Sequence, residues 1–167
     1  MVVTMPTSGE DRRAAFERSV CPEARRLFGI ALMILEDAGE AEDAVQETLI
    51  SAWRAWDSLR DPSKQTAWLT RICVNQCLRS RHRLRRWRIL GARDLSVDPR
   101  DDLEGRLLIF QGAFRSLSPA QRAVVILHFR DGFTVSECAG FIGCRPGTAR
   151  SHLGRAVAKL RKEFADA

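Results

Sequence analysis

The sequence lacks most of the features that mark β-structure, secretion or catalysis. It has no tyrosine in 167 residues, no sustained alternation of apolar and polar residues, and no Asn-Gly turn, so it disfavours strands. No apolar run approaches the length of a membrane span, and no secretory signal precedes the first helix. A Ser/His/acid set and a glycine-rich phosphate loop are also missing. These absences predict an all-α cytoplasmic protein that is not an enzyme and has no membrane insertion.

Cysteine usage argues against metal binding and disulfide formation. The five cysteines are an odd number and include no Cys-x-x-C pair. Cys73 and Cys77 lie one helical turn apart, but no second Cys or His pair follows at a spacing typical of zinc sites. Burial as small apolar side chains is the better interpretation of this pair. We therefore predict no metal, no cofactor and no structural disulfide.

Positive charge is abundant and unevenly distributed. The chain carries 27 Lys and Arg against 21 Asp and Glu. Residues 105–167 carry 10 basic and 4 acidic residues, whereas residues 91–104 carry 2 basic and 5 acidic residues. A basic balance favours a polyanionic partner, although charge alone also fits a membrane surface.

Helical periodicity dominates the chain, and a polar, poorly patterned segment interrupts it. We predict two small helical domains, residues 10–88 and residues 105–167, joined by a short acidic linker at residues 89–104.

The pattern of residues 134–160 is typical of a helix-turn-helix. Thr134 and Glu137 have the spacing of a capping box, and Gly143 supplies the backbone freedom of the turn. The apolar residues of the second helix share one face. The opposite face is small, hydroxylated and basic, which suits a helix entering a DNA major groove. A solvated polar face on a helical bundle is the alternative. This outer face carries Gly147, Thr148, Ser151, His152, Arg155 and Lys159.

The helix predicted over residues 40–56 has a mixed outer face. Ile50 lies there among Asp43, Gln46 and Glu47, opposite the apolar face that would pack inward. An apolar side chain framed by acidic and amide groups indicates a docking patch for a partner helix. A stray surface isoleucine beside acidic residues near a helix N-terminus is the alternative interpretation.

The next helix, predicted over residues 66–84, is apolar around most of its circumference but carries a polar strip. Arg71 and Asn75 lie on this strip, with Arg79 at its edge. Seven arginines and no acidic residue occur between Arg71 and Arg88. Such a run binds phosphates with little sequence information. The amide of Asn75 and the guanidinium of Arg71 match base edges and can add base contacts.

Together these motifs resemble the extracytoplasmic-function group of bacterial sigma factors, over nearly the whole chain from about Phe16 to Leu160. Each motif alone is weak evidence for this resemblance, but four motifs in order at family-like spacing are strong evidence. They are Ala41-Glu-Asp-Ala-Val-Gln-Glu-Thr48, Ala67-Trp-Leu-Thr-Arg-Ile-Cys-Val-Asn75, Leu117-Ser-Pro-Ala-Gln-Arg-Ala-Val-Val125 and Gly143-Cys-Arg-Pro-Gly-Thr148.

The resemblance implies a promoter-specificity subunit that binds bacterial core RNA polymerase, recognises double-stranded and melted promoter DNA, and promotes opening of the duplex. An anti-sigma protein is a further partner that the family allows. The resemblance assigns core-polymerase binding to Asp43, Gln46, Glu47 and Ile50. It assigns −10 DNA binding to Lys64, Gln65, Arg71, Asn75 and Arg79. It assigns −35 DNA binding to Thr148, Arg150, Ser151, His152 and Arg155.

Two other hypotheses stay open on the sequence. A stand-alone helix-turn-helix repressor or activator would bind as a dimer and would need neither the acidic docking patch nor the arginine run. A sigma-like decoy that captures an anti-sigma protein without touching DNA would not need the basic faces.

His152 stands where arginine is frequent in the family, and Ala149 where a larger β-branched residue is usual. We expect the first to affect −35 preference and the second to loosen core packing.

Overall fold

The computed structural model describes residues 9–84 and 112–165, and all regular secondary structure within them is helical. The all-α prediction is confirmed. The predicted linker at residues 89–104 and the arginines at 85–88 lie outside the described residues. The helices are α1 (Gly9–Val20), α2 (Ala24–Leu35), α3 (Ala38–Arg54), α4 (Gln65–Leu84), α5 (Pro119–Val125), α6 (Val135–Ile142) and α7 (Pro146–Ala165).

Short tight turns connect several of these helices. Three are 3-10 turns, and one is a π-helical turn that continues α5 before the chain reverses at Gly132, where φ is +75°. Glycine adopts this conformation at little cost and is a usual residue after a helix end. The turns are Cys21–Glu23, Trp56–Ser58, Pro62–Lys64 and Ile126–Arg130.

Two capping boxes fix the helix starts in the C-terminal module, which we define as residues 112–165. Ser118 and Gln121 form one at the start of α5, and Thr134 and Glu137 form the other at the start of α6. Each box satisfies backbone N–H groups that would otherwise lack a partner. Gly143 ends α6 with φ at +69°. The corner of the helix-turn-helix is thus specified locally, as predicted.

The N-terminal module, residues 9–84, is built on the mutual packing of α2, α3 and α4. Leu27, Ile30 and Ile34 of α2 are fully buried, as are Leu69 and Val74 of α4. Burial of such side chains contributes about 1.5–3 kcal/mol each. This core holds α3 and α4 rigidly, so that their outer faces have defined orientations.

The cysteines predicted to be buried are buried. Cys73 and Cys77 have no exposed surface and are free thiols. A hydrogen bond with Cys73, together with burial, raises the pKa of the Cys77 thiol far above its ordinary value, so this side chain remains neutral in the core. Within the described residues, no group of three or more His, Cys, Asp or Glu is placed to hold a metal ion. No described helix is long and apolar enough to cross a bilayer.

The two modules pack against each other. Helix α5 contacts α2, and α6 contacts α4. One buried apolar cluster continues from Ile34 and Cys77 in the N-terminal module to Val124, Leu127 and Cys138 in the C-terminal module. The sequence predicts the modules but not this contact, because periodicity within a helix does not specify which other helix it meets.

Candidate functional site

Helix α7 is held by its inner face, so its outer face is presented to solvent. Both α5 and α6 pack against it. Ala149 and Ala156 are fully buried, and Leu153 and Leu160 are half-buried. Ala139 of α6, 1 % exposed, is small enough for the two helices of the motif to cross closely.

The recognition face is the outer surface of the first turns of α7, formed by Thr148, Arg150, Ser151, His152 and Arg155. All of these residues are exposed except His152, which is half-buried. The Ser151 hydroxyl donates to the carbonyl of Gly147 at 3.0 Å. The N-terminal end of a helix carries a partial positive charge, to which the two arginines add full charges. The structure therefore leaves all five predicted residues at least partly exposed in the N-terminal half of α7, with Arg150 at the flank of the face that the other four share on a helical wheel. Lys159, further along α7, instead donates to the carbonyl of Ser116 at 2.8 Å.

The docking patch on α3 consists of Asp43, Gln46, Glu47 and Ile50. The three polar residues are exposed, and Ile50 is 42 % exposed. The spacing i, i+3, i+4 and i+7 places all four on one face. Their neighbours on the opposite face are buried, including Thr48, whose hydroxyl donates to the backbone carbonyl of Ala44 at 2.6 Å. An apolar side chain rimmed by two carboxylates and an amide is thus presented on a fixed helix.

The polar strip on α4 consists of Arg71, Asn75 and Arg79. Both arginines are exposed, but Asn75 is half-buried. Its amide nitrogen donates to the carbonyl of Arg71 at 2.9 Å. A Cβ placed on Gly143 would lie 4.0 Å from Asn75 Oδ1. The turn of the helix-turn-helix therefore lies over the middle of this strip.

The loop before α4 is tied to the N-terminal module by its own hydrogen bonds. Asp61 accepts from the backbone N–H of Ser63 at 3.0 Å and from its hydroxyl at 2.6 Å, and these bonds lower the pKa of the Asp61 carboxyl. Lys64 is exposed and lies 3.8 Å from Asp61. The Gln65 amide nitrogen donates to the carbonyl of Ser19 at 2.8 Å. Lys64 is thus directed to solvent. The side-chain nitrogen of Gln65 is occupied by its bond to Ser19, so its side-chain carbonyl oxygen is the group left for a ligand.

Arg122 occupies a central position between the modules, and sequence reasoning did not single it out. The side chain is 2 % exposed. Within its own module it donates to the carbonyls of Phe114 at 3.1 Å and Arg115 at 2.9 Å. Across the interface it donates to the carbonyl of Ile34 at 2.9 Å and forms an ion pair with Glu36. The one sequence signal was an arginine at the start of an otherwise apolar helical stretch.

Comparison with protein families identifies both modules. The Sigma-70 region 2 model matches residues 22–88, and the Sigma-70, region 4 model matches residues 107–160. The first match contains the docking patch, the loop and the polar strip. The second contains the capping boxes, Arg122 and the recognition face.

Relatives and solved structures agree with these matches. The chain is 33 % identical over 156 residues to the ECF RNA polymerase sigma factor SigL of Mycobacterium tuberculosis, which covers 89 % of this chain and 88 % of SigL. The sigma factor RpoE from Bartonella quintana, solved in complex with the anti-sigma factor NepR, superposes with a TM-score of 0.71 at 28 % identity, over 90 % of this chain and 97 % of RpoE. CnrH, in complex with the cytosolic domain of CnrY, superposes with a TM-score of 0.62 at 26 % identity, over 93 % of this chain and 91 % of CnrH. The chain therefore belongs to the extracytoplasmic-function family of RNA polymerase sigma factors, non-catalytic initiation factors that direct promoter recognition.

Proposed function

We propose that three surfaces of this sigma factor divide its work. The docking patch on α3 binds core RNA polymerase, Lys64 and Gln65 with the polar strip on α4 bind the −10 element, and the recognition face on α7 binds the −35 element. The observation that carries the proposal is the position of these residues on the outer faces of helices whose inner faces are buried. We place the functional domains at residues 10–88 and 105–167, with a linker at 89–104. Because its partners are polymerase and DNA, we also propose a cytoplasmic location.

The docking patch has the anatomy of a small protein–protein hot spot. Ile50 supplies an apolar centre, and Asp43 and Glu47 supply a negative rim. A basic partner helix would pair with the carboxylates while an apolar side chain excludes water from Ile50. DNA would be repelled by the same charges, so the patch fits a protein partner better than a nucleic acid.

The recognition face combines the donors that major-groove recognition uses. Arg150 and Arg155 can donate two hydrogen bonds each to a guanine edge, and Thr148 and Ser151 can bond to bases or phosphates. The exposure of all four side chains allows contact without rearrangement of the helix. His152 is half-buried and would contact DNA only with the outer edge of its ring.

The −10 surface is suited to single-stranded DNA rather than to a duplex groove. Lys64 and the arginines of the polar strip provide positive charge that follows a phosphate backbone. Gln65 and Asn75 provide amide groups that match base edges. In the described structure each amide nitrogen already donates to a backbone carbonyl, that of Ser19 or of Arg71. Their carbonyl oxygens are therefore the groups we expect to accept hydrogen bonds from an unstacked base.

The sigma factor RpoE was solved with the anti-sigma factor NepR, and we propose the same class of partner here. A protein of this class would compete with core polymerase for the N-terminal module. The competition can be observed as loss of core binding when the partner is added.

Run-off transcription with purified bacterial core polymerase tests the proposed function. We expect the full chain to form a one-to-one complex with core and to start transcription at a cognate promoter, which genome-wide mapping of start sites would define. A dimer that binds a palindromic site and has no affinity for core would instead identify a stand-alone repressor and overturn the proposal. Failure to bind both core and DNA, with an anti-sigma protein still bound, would identify a decoy.

A further inference from the structure

Helix α1 contacts both ends of residues 57–65, a segment that contains Lys64 and Gln65 and that we call the −10 loop. At its start, Arg12 of α1 donates from Nε to Oδ1 of Asp57 at 3.1 Å, and Arg12 Nη2 lies 3.0 Å from Asp57 Oδ2. At its end, the Gln65 amide donates to the carbonyl of Ser19 in the last turn of α1 at 2.8 Å. The Sigma-70 region 2 match begins only at residue 22. Helix α1 therefore bridges the two ends of the loop from outside the matched region.

The Arg12 guanidinium is held by more than its ion pair. Its Nη2 atom also donates to the carbonyl of Trp53 at 3.0 Å. The guanidinium carbon lies 4.1 Å from the centre of the Trp53 ring, which is a cation–π contact. Together with the two contacts to Asp57, this arrangement uses the planar fork of arginine, which lysine cannot reproduce. The Arg12 side chain is 27 % exposed and that of Asp57 is 72 % exposed, so an ordered guanidinium holds a largely solvated carboxylate.

Aromatic packing joins α1 to the same end of the loop. Phe16 of α1 makes edge contacts with the rings of Trp53 and Trp56, with ring centres 5.2 Å apart in both pairs. Trp56 begins the 3-10 turn that contains Asp57. The backbone of this turn is therefore fixed by the packing of Trp56, and the side chain of Asp57 is fixed by Arg12.

Folding stability alone is a weak reason for this arrangement. An ion pair with a largely exposed carboxylate contributes little to folding, because water solvates and screens it. A binding loop gains more from the same contacts, because side chains that are ordered in advance do not lose that freedom when the ligand binds. The residues that would benefit are Lys64 and Gln65, which are the part of the loop assigned to the −10 element.

We propose that Arg12 is a positioning residue for −10 recognition, which clamps Asp57 so that the −10 loop is ordered before it meets the melted strand. The proposal rests on the −10 assignment made above. Arg12 acts through Asp57 and the loop, and it does not itself contact DNA. The residue thus gives α1 a role in promoter recognition.

Two variants weaken the clamp while they conserve charge or size. Arg12→Lys keeps the positive charge but loses the fork, and Asp57→Asn keeps the size but loses the charge and one acceptor oxygen. Asp57→Asn also separates positioning from direct phosphate binding, because removal of a negative charge alone would strengthen DNA binding, whereas loss of the clamp weakens it. The matched controls are Arg13→Lys and Glu17→Gln, which make the same two changes in an exposed ion pair within α1.

The order of the loop can be measured on the free full chain by hydrogen–deuterium exchange with mass spectrometry. The backbone N–H of Leu59 donates to the carbonyl of Trp56, and that of Lys64 donates to the carbonyl of Asp61, each at 3.1 Å. These bonds open more often when the loop is no longer clamped. We expect exchange in residues 57–65 to be faster by about threefold or more in both clamp variants than in the parent and the controls.

The consequence for recognition is measured on the complex of the full chain with core polymerase. The probes are labelled single-stranded oligonucleotides with the non-template −10 sequence of a mapped cognate promoter, or with that sequence scrambled. We expect the clamp variants to bind the cognate strand about three- to tenfold more weakly, because the loop must then be ordered on binding. Binding to the scrambled strand, to core and to −35 duplex should match the parent, as should all binding by the controls.

Each contrary result identifies the step that fails. Unchanged exchange in both clamp variants would overturn the clamp, and faster exchange with unchanged strand discrimination would overturn its role in recognition. Tighter binding of both strands by Asp57→Asn would make Arg12 a phosphate contact instead. Loss of core and −35 binding together with −10 binding would show a general structural role and would also overturn the proposal. A parent that binds core but does not distinguish the two strands would overturn the −10 assignment, while the exchange result would still stand.

Discussion

The two candidate DNA-binding surfaces are built alike but differ in accessibility. The recognition face on α7 and the polar strip on α4 each combine two arginines with hydrogen-bonding side chains on a helix that is buried on its other side. The α7 residues are almost all exposed, whereas Asn75 in the centre of the strip is half-buried under the turn at Gly143. The free protein can thus present most of its proposed −35 surface while its proposed −10 surface is partly covered.

The largest effect is expected for Arg122→Ala, which removes the side chain that joins the C-terminal module to the end of α2. Three backbone carbonyls and the Glu36 carboxylate lose a donor. We expect the free energy of unfolding of the full chain to fall by about 3 kcal/mol or more, as measured by urea denaturation. Arg161→Ala, at an exposed arginine of α7, is the control and should change stability little. A loss below about 1 kcal/mol for Arg122→Ala would show that water replaces these interactions and would contradict a structural role.

A smaller effect distinguishes base recognition from phosphate binding on the recognition face of α7. Arg150→Ala and Arg155→Ala should each weaken binding of the full chain to cognate −35 duplex by about 1–3 kcal/mol per lost base contact. Binding to a scrambled duplex should change much less, because base contacts carry the sequence information. Fluorescence anisotropy with both duplexes at one salt concentration measures the difference, and Arg161→Ala again serves as control. Equal losses on both duplexes would assign these arginines to phosphates.

The third effect separates protein binding from DNA binding. Glu47→Lys reverses a charge in the docking patch, and Ile50→Asp places a charge where a partner would exclude water. Binding to core polymerase should fall at least tenfold, about 1.4 kcal/mol, in a pull-down titration or by biolayer interferometry. Both positions are exposed, so folding and −35 duplex binding should persist. Glu17→Lys is the control of equal charge change. Core binding as tight as the parent's in both folded variants would remove the docking patch from the polymerase interface.

Local signals explain why much of the structure could be predicted from the sequence. The capping residue Thr134, the turn glycine Gly143 and the apolar face of α7 each act within a few residues along the chain, and all were found where predicted. Solvent exposure of the docking patch followed from the same helical periodicity.

Contacts between distant residues could not be predicted in this way. Gln65 bonds to Ser19 and Arg122 bonds to Ile34, across 46 and 88 positions of the chain. No periodic pattern encodes such partners, because they depend on how whole helices pack. For the same reason the sequence did not show that Asn75 is partly covered. Helical periodicity places Asn75 on the same polar strip as the exposed Arg71, and it does not distinguish an exposed residue from one at the interface.

The smallest effect concerns acid sensitivity at the start of the helix-turn-helix. Thr134 donates from its hydroxyl and its backbone N–H to Glu137 at 2.7 and 2.8 Å, and these bonds lower the pKa of the Glu137 carboxyl. A carboxyl whose pKa is lower in the folded state contributes stability above its unfolded pKa, and that stability is lost as the pH falls through the folded value. We therefore expect the urea midpoint of the parent to fall on acidification through the range just below the ordinary glutamate pKa. Glu137→Gln keeps the capping geometry but cannot titrate, so its midpoint should fall less over that range. Because Glu137 is exposed, the difference should be small.

Glu163→Gln, at an exposed glutamate near the end of α7 whose carboxyl is not part of a capping box, is the control and should follow the parent. Identical pH profiles for Glu137→Gln and the parent would show that the capping carboxylate does not contribute to the pH dependence of stability.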